Sequence, residues 1–181
     1  KETIDSSPMP IVLLDRLLPG ISVPSVSLDN RSAGRIAARH LLNAGHRRIG
    51  CLRGDSTTFS DRERLDGVRD AFAEARVAAE NLAVAGSGYT REESRFGAEE
   101  LLKSAGEFSA LISLSGQGVL GILEVSRAKS LTIPTDFSLV AFDEQPWSAL
   151  MHPPITTIAQ PIAAMAEKAA ELLNTEISGR S

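Results

Sequence analysis

The chain has 181 residues, of which 43% are hydrophobic and 23% charged, and it carries a formal net charge of −4. This composition fits a globular protein with one ordinary core or two small lobes, and the negative balance excludes a global basic field for holding nucleic acid phosphates. No apolar stretch approaches a membrane span, no signal peptide is recognisable and the single Cys51 cannot form an internal disulfide, so a cytoplasmic protein without membrane contact is expected.

Apolar runs and helix-like periodicities alternate along the chain. Strands are predicted at 10–14, 25–28, 49–52, 82–85, 110–114 and 137–142. Helices are predicted along the apolar stripes that begin at Ala33, Leu65, Ala98, Val119 and Met165. Asp29 or Asn30 can cap the first of these helices, and Gly45 can end it.

The predicted strands are unbroken apolar runs, which is typical of strands buried on both faces of a sheet. Their alternation with helices indicates an α/β fold in which parallel strands are flanked by helices. Binding residues in such folds collect at the carboxyl ends of the strands. The candidate binding loops are therefore 53–60, 86–90, 115–117 and 143–147.

The sequence offers no recognisable catalytic constellation. None of the three histidines has a Cys, His or carboxylate partner at metal-ligand spacing, so no metal site is predicted. The run Gly116–Gly121 follows a strand but lacks both the glycine spacing of a dinucleotide fingerprint and the lysine of a P-loop. The run Ser113–Gly116 lacks the glycine that a nucleophile elbow places two residues before its serine. We therefore expect neither an enzyme nor a bound cofactor.

Two charged residues at predicted loop positions are candidates for ligand binding. Arg64 begins a helix after a polar loop and can offer a planar set of donors to hydroxyls or a carboxylate; alternatively, it pairs with Asp61 or Glu63 in the first helical turn. Asp143 ends the most apolar strand and can accept hydrogen bonds from adjacent sugar hydroxyls; alternatively, it bonds nearby backbone amides. Spacing alone leaves both alternatives open.

Two aromatic residues also follow predicted strands. Tyr89 can cover the apolar face of a sugar or base, or it can simply pack on the next helix. Trp147, the only tryptophan, lies in the loop after Asp143. It can line the mouth of a cleft, form a subunit contact or serve packing alone.

Four runs in fixed order resemble the effector-binding core of the LacI family of bacterial transcription regulators, and the resemblance covers nearly the whole chain. The runs are Leu41–Gly50, which contains Ala-Gly-His, Arg64–Gly67, Ser138–Glu144 and Pro153–Pro161. The resemblance implies a periplasmic-binding-protein-like α/β fold with parallel sheets flanked by helices in two lobes. It further implies that the first lobe is partial, so that the chain is incomplete relative to the family at both ends.

The resemblance also implies a division of the chain. Residues 1–45 would belong to the partial first lobe, 46–158 to the second lobe, and 159–181 would return to the first lobe as a helix. The turn Ala44–His46 would be the first crossing between lobes, and Ile158–Pro161 the second.

Family positions carry over residue by residue. Arg64 matches the arginine that grips the effector, and Asp143 matches the aspartate that binds hydroxyls. The remaining matches are Ser60 at a small hydroxyl position, Tyr89 approximately at a stacking aromatic, and Asp29 and Ser32 at a first-lobe loop facing the cleft. With these matches, ligand contact becomes the favoured role of Arg64 and Asp143.

One departure from the family is clear. Where the family commonly has Ala-Asn-Asp after a strand, this chain has Leu114-Ser115-Gly116. Ser115 thus takes the place of an asparagine that often bonds a sugar hydroxyl, and it reaches less far with fewer donors and acceptors. The effector is therefore expected to be unusual, larger, or held through water.

The resemblance predicts the sensor domain of a bacterial transcription regulator that acts as a repressor and responds to a sugar or related metabolite. Its partners would be the effector and a second copy in a homodimer. Operator DNA would be bound only through a DNA-binding head absent from this chain. The main alternative is a periplasmic sugar-binding protein of a transport system, and a third is a small α/β enzyme.

Overall fold

The computed structural model describes residue 4 and residues 7–103 and 106–179. The strands in these ranges are β1 Leu13–Leu14, β2 Ser25–Val26, β3 Ile49–Leu52, β4 Leu82–Ala85, β5 Ala110–Ser113, β6 Ser138–Phe142 and β7 Thr156–Ile158. The helices are α1 Asn30–Asn43, α2 Phe59–Glu74, α3 Arg91–Leu101, α4 Gly116–Ala128 and α5 Ile162–Gly179. Short 3-10 turns lie at Ala79–Asn81 and Ser148–Leu150.

The larger of two units runs from Asn30 to Ala159 and contains a five-stranded parallel sheet. Its strand order is β4-β3-β5-β6-β7, and every neighbouring pair is parallel. All residues of β3 and β5 are buried, as their predominantly apolar sequences predict. The predicted α/β fold with a parallel sheet flanked by helices is confirmed.

The strand order reverses at the centre of the sheet. The chain moves outward from β3 to β4 and then crosses to the other side of β3 to form β5. In parallel α/β sheets, ligands bind outside the carboxyl ends of the strands at such a reversal. The loops that follow β3 and β5 therefore occupy the position where a binding site is expected.

Helices α1 and α2 pack with their backbones nearly in contact. A Cβ atom at Gly34 would collide with the carbonyl oxygen of Arg64, and one at Gly67 would collide with that of Arg31. Only glycine leaves room for this approach. Across the exposed side of the pair, the guanidinium groups of Arg31 and Arg35 both bond the Asp70 carboxylate, at 2.7 and 2.8 Å. These bonds lower the pKa of Asp70 to about 2.

The other side of the sheet is covered by α3 and α4, which enclose an apolar cluster with the strands. Close approach again depends on glycine, because a Cβ at Gly121 would lie 2.5 Å from the Ser94 carbonyl oxygen. Cys51 is fully buried within β3, and this burial raises the pKa of its thiol to about 12.

The amino-terminal ends of β5 and β6 are joined through an imidazole ring. His46 Nδ1 lies 2.8 Å from Ser109 Oγ, and its Nε2 lies 3.0 Å from Ser138 Oγ. Burial, with a smaller contribution from the nearby His40, lowers the pKa of His46. These contacts give this histidine a structural role in the sheet.

The smaller unit contains the chain up to Asp29 and the chain from Gln160 onward. In it, β1 and β2 pair in parallel and α5 packs against both strands. Met165 is the residue of α5 that becomes buried. No helix within the described residues is long and apolar enough to cross a bilayer.

By their internal contacts, the units meet in the chain after Asp29 and again after Ala159. The glycine-mediated packing of α1 along α2 joins residues 30–43 to the larger unit. The division of the chain into lobes of the family at 45/46 and 158/159, with a first crossing at Ala44–His46, remains a prediction.

Candidate ligand-binding site

Arg64 is buried at the carboxyl edge of the large sheet, with 6% of its surface exposed. It projects from α2, donates from Nε to the side-chain oxygen of Asn30 at 2.8 Å, and donates from Nη1 to the Leu114 carbonyl at 2.7 Å. Its guanidinium carbon also lies 4.5 Å from the centre of the Phe142 ring. A single side chain thus connects the start of α1 with the carboxyl ends of β5 and β6.

The partners of Arg64 are all electrically neutral. Within the described residues it makes no ion pair, so the predicted alternative of pairing with Asp61 or Glu63 is not what the structure contains. A buried cation is tolerated when its donors are satisfied and an aromatic face lies beneath it. Two of the three guanidinium nitrogens thus donate hydrogen bonds within the protein. The position of the group is therefore fixed without a ligand.

Asp143 follows β6 and lies directly after Phe142, the residue beneath the Arg64 guanidinium. Its backbone adopts a left-handed conformation with φ of +68°, which aspartate tolerates better than most residues. Its N–H donates to the Ile158 carbonyl at 3.2 Å, and its carboxylate accepts the N–H of Gly116 at 3.2 Å. The bond to a backbone amide predicted as an alternative is therefore present, but it reaches the start of α4 and not a local loop amide.

Two serines organise the loop between β5 and α4. Ser115 is buried and caps α4 by accepting the N–H of Gly118 at 3.1 Å. Ser113 donates its hydroxyl to the Ser115 carbonyl at 2.8 Å. One lone-pair region of the Ser115 hydroxyl is thus committed to the helix, which agrees with the limited ligand-binding capacity expected from its short side chain.

Tyr89 is half-buried and lies against the loop that follows β3. Its hydroxyl is 3.0 Å from Thr58 Oγ1, and its ring occupies the space that a side chain at position 54 would fill, so Gly54 is required there. The ring thus packs on the loop that follows β3. Whether it also stacks on a ligand stays a prediction.

An ion pair that the sequence did not reveal holds the same loop. The Asp61 carboxylate is 2% exposed, accepts the Gly54 N–H at 2.7 Å and accepts Nε of Arg53 at 2.8 Å. Arg53 also pairs with it through Nη2. Nothing in local spacing marks this pair, because Arg53 looks like an ordinary loop residue until the loop folds back on α2.

The structure places the remaining predicted site residues on several different elements. Ser60 is half-buried in the first turn of α2, four residues before Arg64, and Ser32 is half-buried in the first turn of α1. Trp147 packs against the apolar cluster beneath α3 and α4, which is the packing alternative given above. Asp29 is exposed and belongs to the smaller unit. Arg64, Asp143 and Ser115 are the predicted residues that the ends of β5 and β6 hold together.

A metal centre is not part of this arrangement. Among the described residues, no three His, Cys, Asp or Glu side chains come together in a way that could hold a metal ion. The polar groups at the sheet edge are a guanidinium above an aromatic ring, a carboxylate and a serine hydroxyl. Groups of this kind suit hydroxyl and carbonyl groups of an organic molecule.

Comparison with known proteins identifies the family. The profile of the Periplasmic binding protein-like domain matches residues 38–181. The chain belongs to this family. The resemblance to the LacI family noted above is confirmed by the relatives described next.

The relatives are bacterial regulators. The chain is 33% identical over 162 residues to the HTH-type transcriptional regulator GalR of Escherichia coli, covering 90% of this chain and 47% of GalR. It is 31% identical over 182 residues to the HTH-type transcriptional regulator MalR of Streptomyces coelicolor, covering 98% of this chain and 52% of MalR. The chain thus spans about half the length of the curated relatives it matches.

The fold is also that of solved regulators. A sugar-binding transcriptional regulator of the LacI family from Escherichia coli, crystallised with phosphate, superimposes with a TM-score of 0.80 at 27% identity. The superposition covers 95% of this chain and 62% of that one.

Proposed function

We propose that this chain is the ligand-sensing part of a bacterial LacI-type transcription regulator, acting as a repressor in the cytoplasm. The effector is a sugar or a related small metabolite that binds at the carboxyl edge of the large sheet. The reported relatives are transcription regulators, which favours this role over transport. Catalysis is not part of the proposal.

The observation that carries the proposal is the arrangement around Arg64. Asn30 and the Leu114 carbonyl fix its guanidinium through hydrogen bonds. The group lies above the ring of Phe142, the residue that precedes Asp143. The second terminal nitrogen of Arg64 then donates to a ligand oxygen, while the Asp143 carboxylate accepts ligand hydroxyls. Such a preorganised donor and acceptor pair lowers the ordering cost of binding.

The proposal extends to partners. The protein binds operator DNA through a helix-turn-helix segment of the kind that gives the relatives their names, and it does so as a homodimer, because two-fold operators require paired heads. Sedimentation of the full-length protein at micromolar concentration measures its oligomeric state. A strictly monomeric species would contradict the proposed homodimer.

The test of ligand binding is a thermal-shift screen followed by calorimetry. The screen uses D-ribose, D-glucose, D-galactose and maltose, because a bound ligand raises the melting temperature. Asp143→Asn should weaken binding about tenfold to a hundredfold, since one charge-assisted acceptor becomes a donor and the mismatch costs roughly 1–3 kcal/mol. Ser115→Ala should cost only about 0.5–1.5 kcal/mol because it removes one neutral bond.

Two outcomes contradict the proposed site or function. If Ser115→Ala abolishes binding while Asp143→Asn leaves it within about twofold, the polar anchor of the site lies elsewhere. If none of the four sugars raises the melting temperature of the wild-type protein, none of them is its effector and the proposed sugar ligand is contradicted for this set.

A further inference from the structure

Gly116 leaves an opening at the edge of the candidate site, and a glutamine side chain borders it. A Cβ atom at position 116 would lie 3.4 Å from Nε2 of Gln145, 3.6 Å from Cβ of Asp143 and 3.7 Å from its Oδ2. The Gln145 amide and the Asp143 carboxylate therefore flank one point at the start of α4. The family resemblance places an aspartate at position 116, and this chain has no side chain there.

The side-chain amide of Gln145 has no structural task in its turn. The turn closes through the main chain, because the Gln145 carbonyl accepts the N–H of Ser148 at 2.9 Å and its hydroxyl at 2.7 Å. Within the described residues, the amide group of Gln145 makes no hydrogen bond, although the residue is half-buried. A half-buried amide at the carboxyl edge of a parallel sheet is well placed to bond a ligand.

The charges of the site point to the chemistry of that ligand. Arg64 contributes one positive and Asp143 one negative charge, while the Arg53 and Asp61 charges neutralise each other. A glycine at 116 avoids a second carboxylate beside Asp143, and a neutral amide provides both a donor and an acceptor instead. This set matches a neutral molecule with adjacent oxygens, one a hydroxyl that donates and one an oxygen that accepts.

We propose that Gln145 is a specificity-determining residue that contacts the same ligand as Asp143, and that Gly116 provides the space for this contact. The inference rests on the proposed function. Asp143 accepts a ligand hydroxyl, and the Gln145 amide donates to the neighbouring hydroxyl, ring or carbonyl oxygen. The pair thus distinguishes ligands by the configuration of two adjacent oxygens.

The test compares Gln145→Leu and Gln145→Glu with the matched changes Asn43→Leu and Asn43→Asp at an exposed amide at the end of α1, outside the candidate binding loops. The probes are D-ribose, D-glucose, D-galactose and maltose, titrated by calorimetry into the full-length protein. Gln145→Leu is expected to lower the affinity for the sugar that binds the wild type about tenfold, and Gln145→Glu to change the order of preference among the sugars. The Asn43 variants are expected to keep wild-type affinities.

A second measurement does not depend on how the variants fold. In the wild-type protein, the side-chain amide signals of Gln145 in a ¹H–¹⁵N spectrum should shift on addition of the bound sugar, whereas those of Asn43 should not. Unchanged Gln145 signals on saturation, or wild-type affinities in both Gln145 variants, overturn this inference while leaving the proposed function intact. If no sugar binds the wild type, the proposed function and this inference fail together.

Discussion

The hydrogen bond from Arg64 to Asn30 leads to a prediction about the free energy of unfolding. Asn30 is 2% exposed and its side-chain oxygen accepts Nε of Arg64 at 2.8 Å, so both ends of the bond are shielded from water. Asn30→Ala leaves a buried charged donor without this acceptor, at a cost of about 1.5–3 kcal/mol. For a chain of this size, that loss corresponds to a fall in melting temperature of roughly 3–12 °C.

Two further variants separate this bond from other effects of the substitution. Asn30→Asp keeps the acceptor and adds a negative charge beside the guanidinium and at the start of α1, so it should retain wild-type stability. Asn43→Ala removes an exposed asparagine at the other end of the same helix and should change stability by less than about 0.5 kcal/mol. Urea and thermal unfolding followed by circular dichroism measure all three. An Asn30→Ala protein as stable as Asn43→Ala would refute the reasoning, because the bond to Arg64 would then contribute nothing.

Three other predictions follow from contacts described above. Gly67→Ala should lower the free energy of unfolding by roughly 1–3 kcal/mol because the added Cβ collides with the backbone of α1. As a control, Gly179→Ala adds a Cβ that contacts nothing, so denaturant unfolding should show little change in its stability. Cys51, with its pKa raised to about 12, should resist a thiol reagent at pH 8 until denaturant is added; rapid labelling of the native protein would count against its burial. In an NMR titration the Asp70 carboxyl should titrate near pH 2. The stabilisation from its ion pairs is therefore complete above about pH 4 and is lost as the pH falls towards 2. Arg31→Ala should raise the pKa of Asp70 because it removes one of the two guanidinium partners.

The sequence predicts strands of the large sheet wherever the strand is an apolar run. The inner strand β3 and the edge strand β4 lie at 49–52 and 82–85 as predicted, although β4 is partly exposed, whereas 10–14 shortens to Leu13–Leu14. The other edge strand, β7, is not predicted as a strand, because its sequence Thr156–Ile158 has two threonines and no apolar run. The apolar run, and not the position of a strand in the sheet, thus decides which strands local pattern identifies.

The sequence predicts which residues belong to the candidate site but not which hydrogen bonds they make. Position in the chain and family resemblance identify Arg64 and Asp143. The hydrogen-bond partners of Arg64, however, lie 34 and 50 residues away in the chain. Arg53 and Asp61 are only 8 residues apart, but their ion pair is notable only because Asp61 is buried. That burial depends on how the loop folds. Long-range contacts of this kind follow from topology, which a single sequence does not display.

The imidazole of His46 acts at the opposite edge of the sheet from Arg64 and Asp143. It joins the starts of β5 and β6 through Ser109 and Ser138, whereas the candidate ligand residues Ser115 and Asp143 follow the ends of the same two strands. The pairing of these strands is therefore secured at the edge of the sheet opposite to the candidate site. Substitutions in the loops after β5 and β6 are accordingly expected to leave the scaffold of the sheet intact.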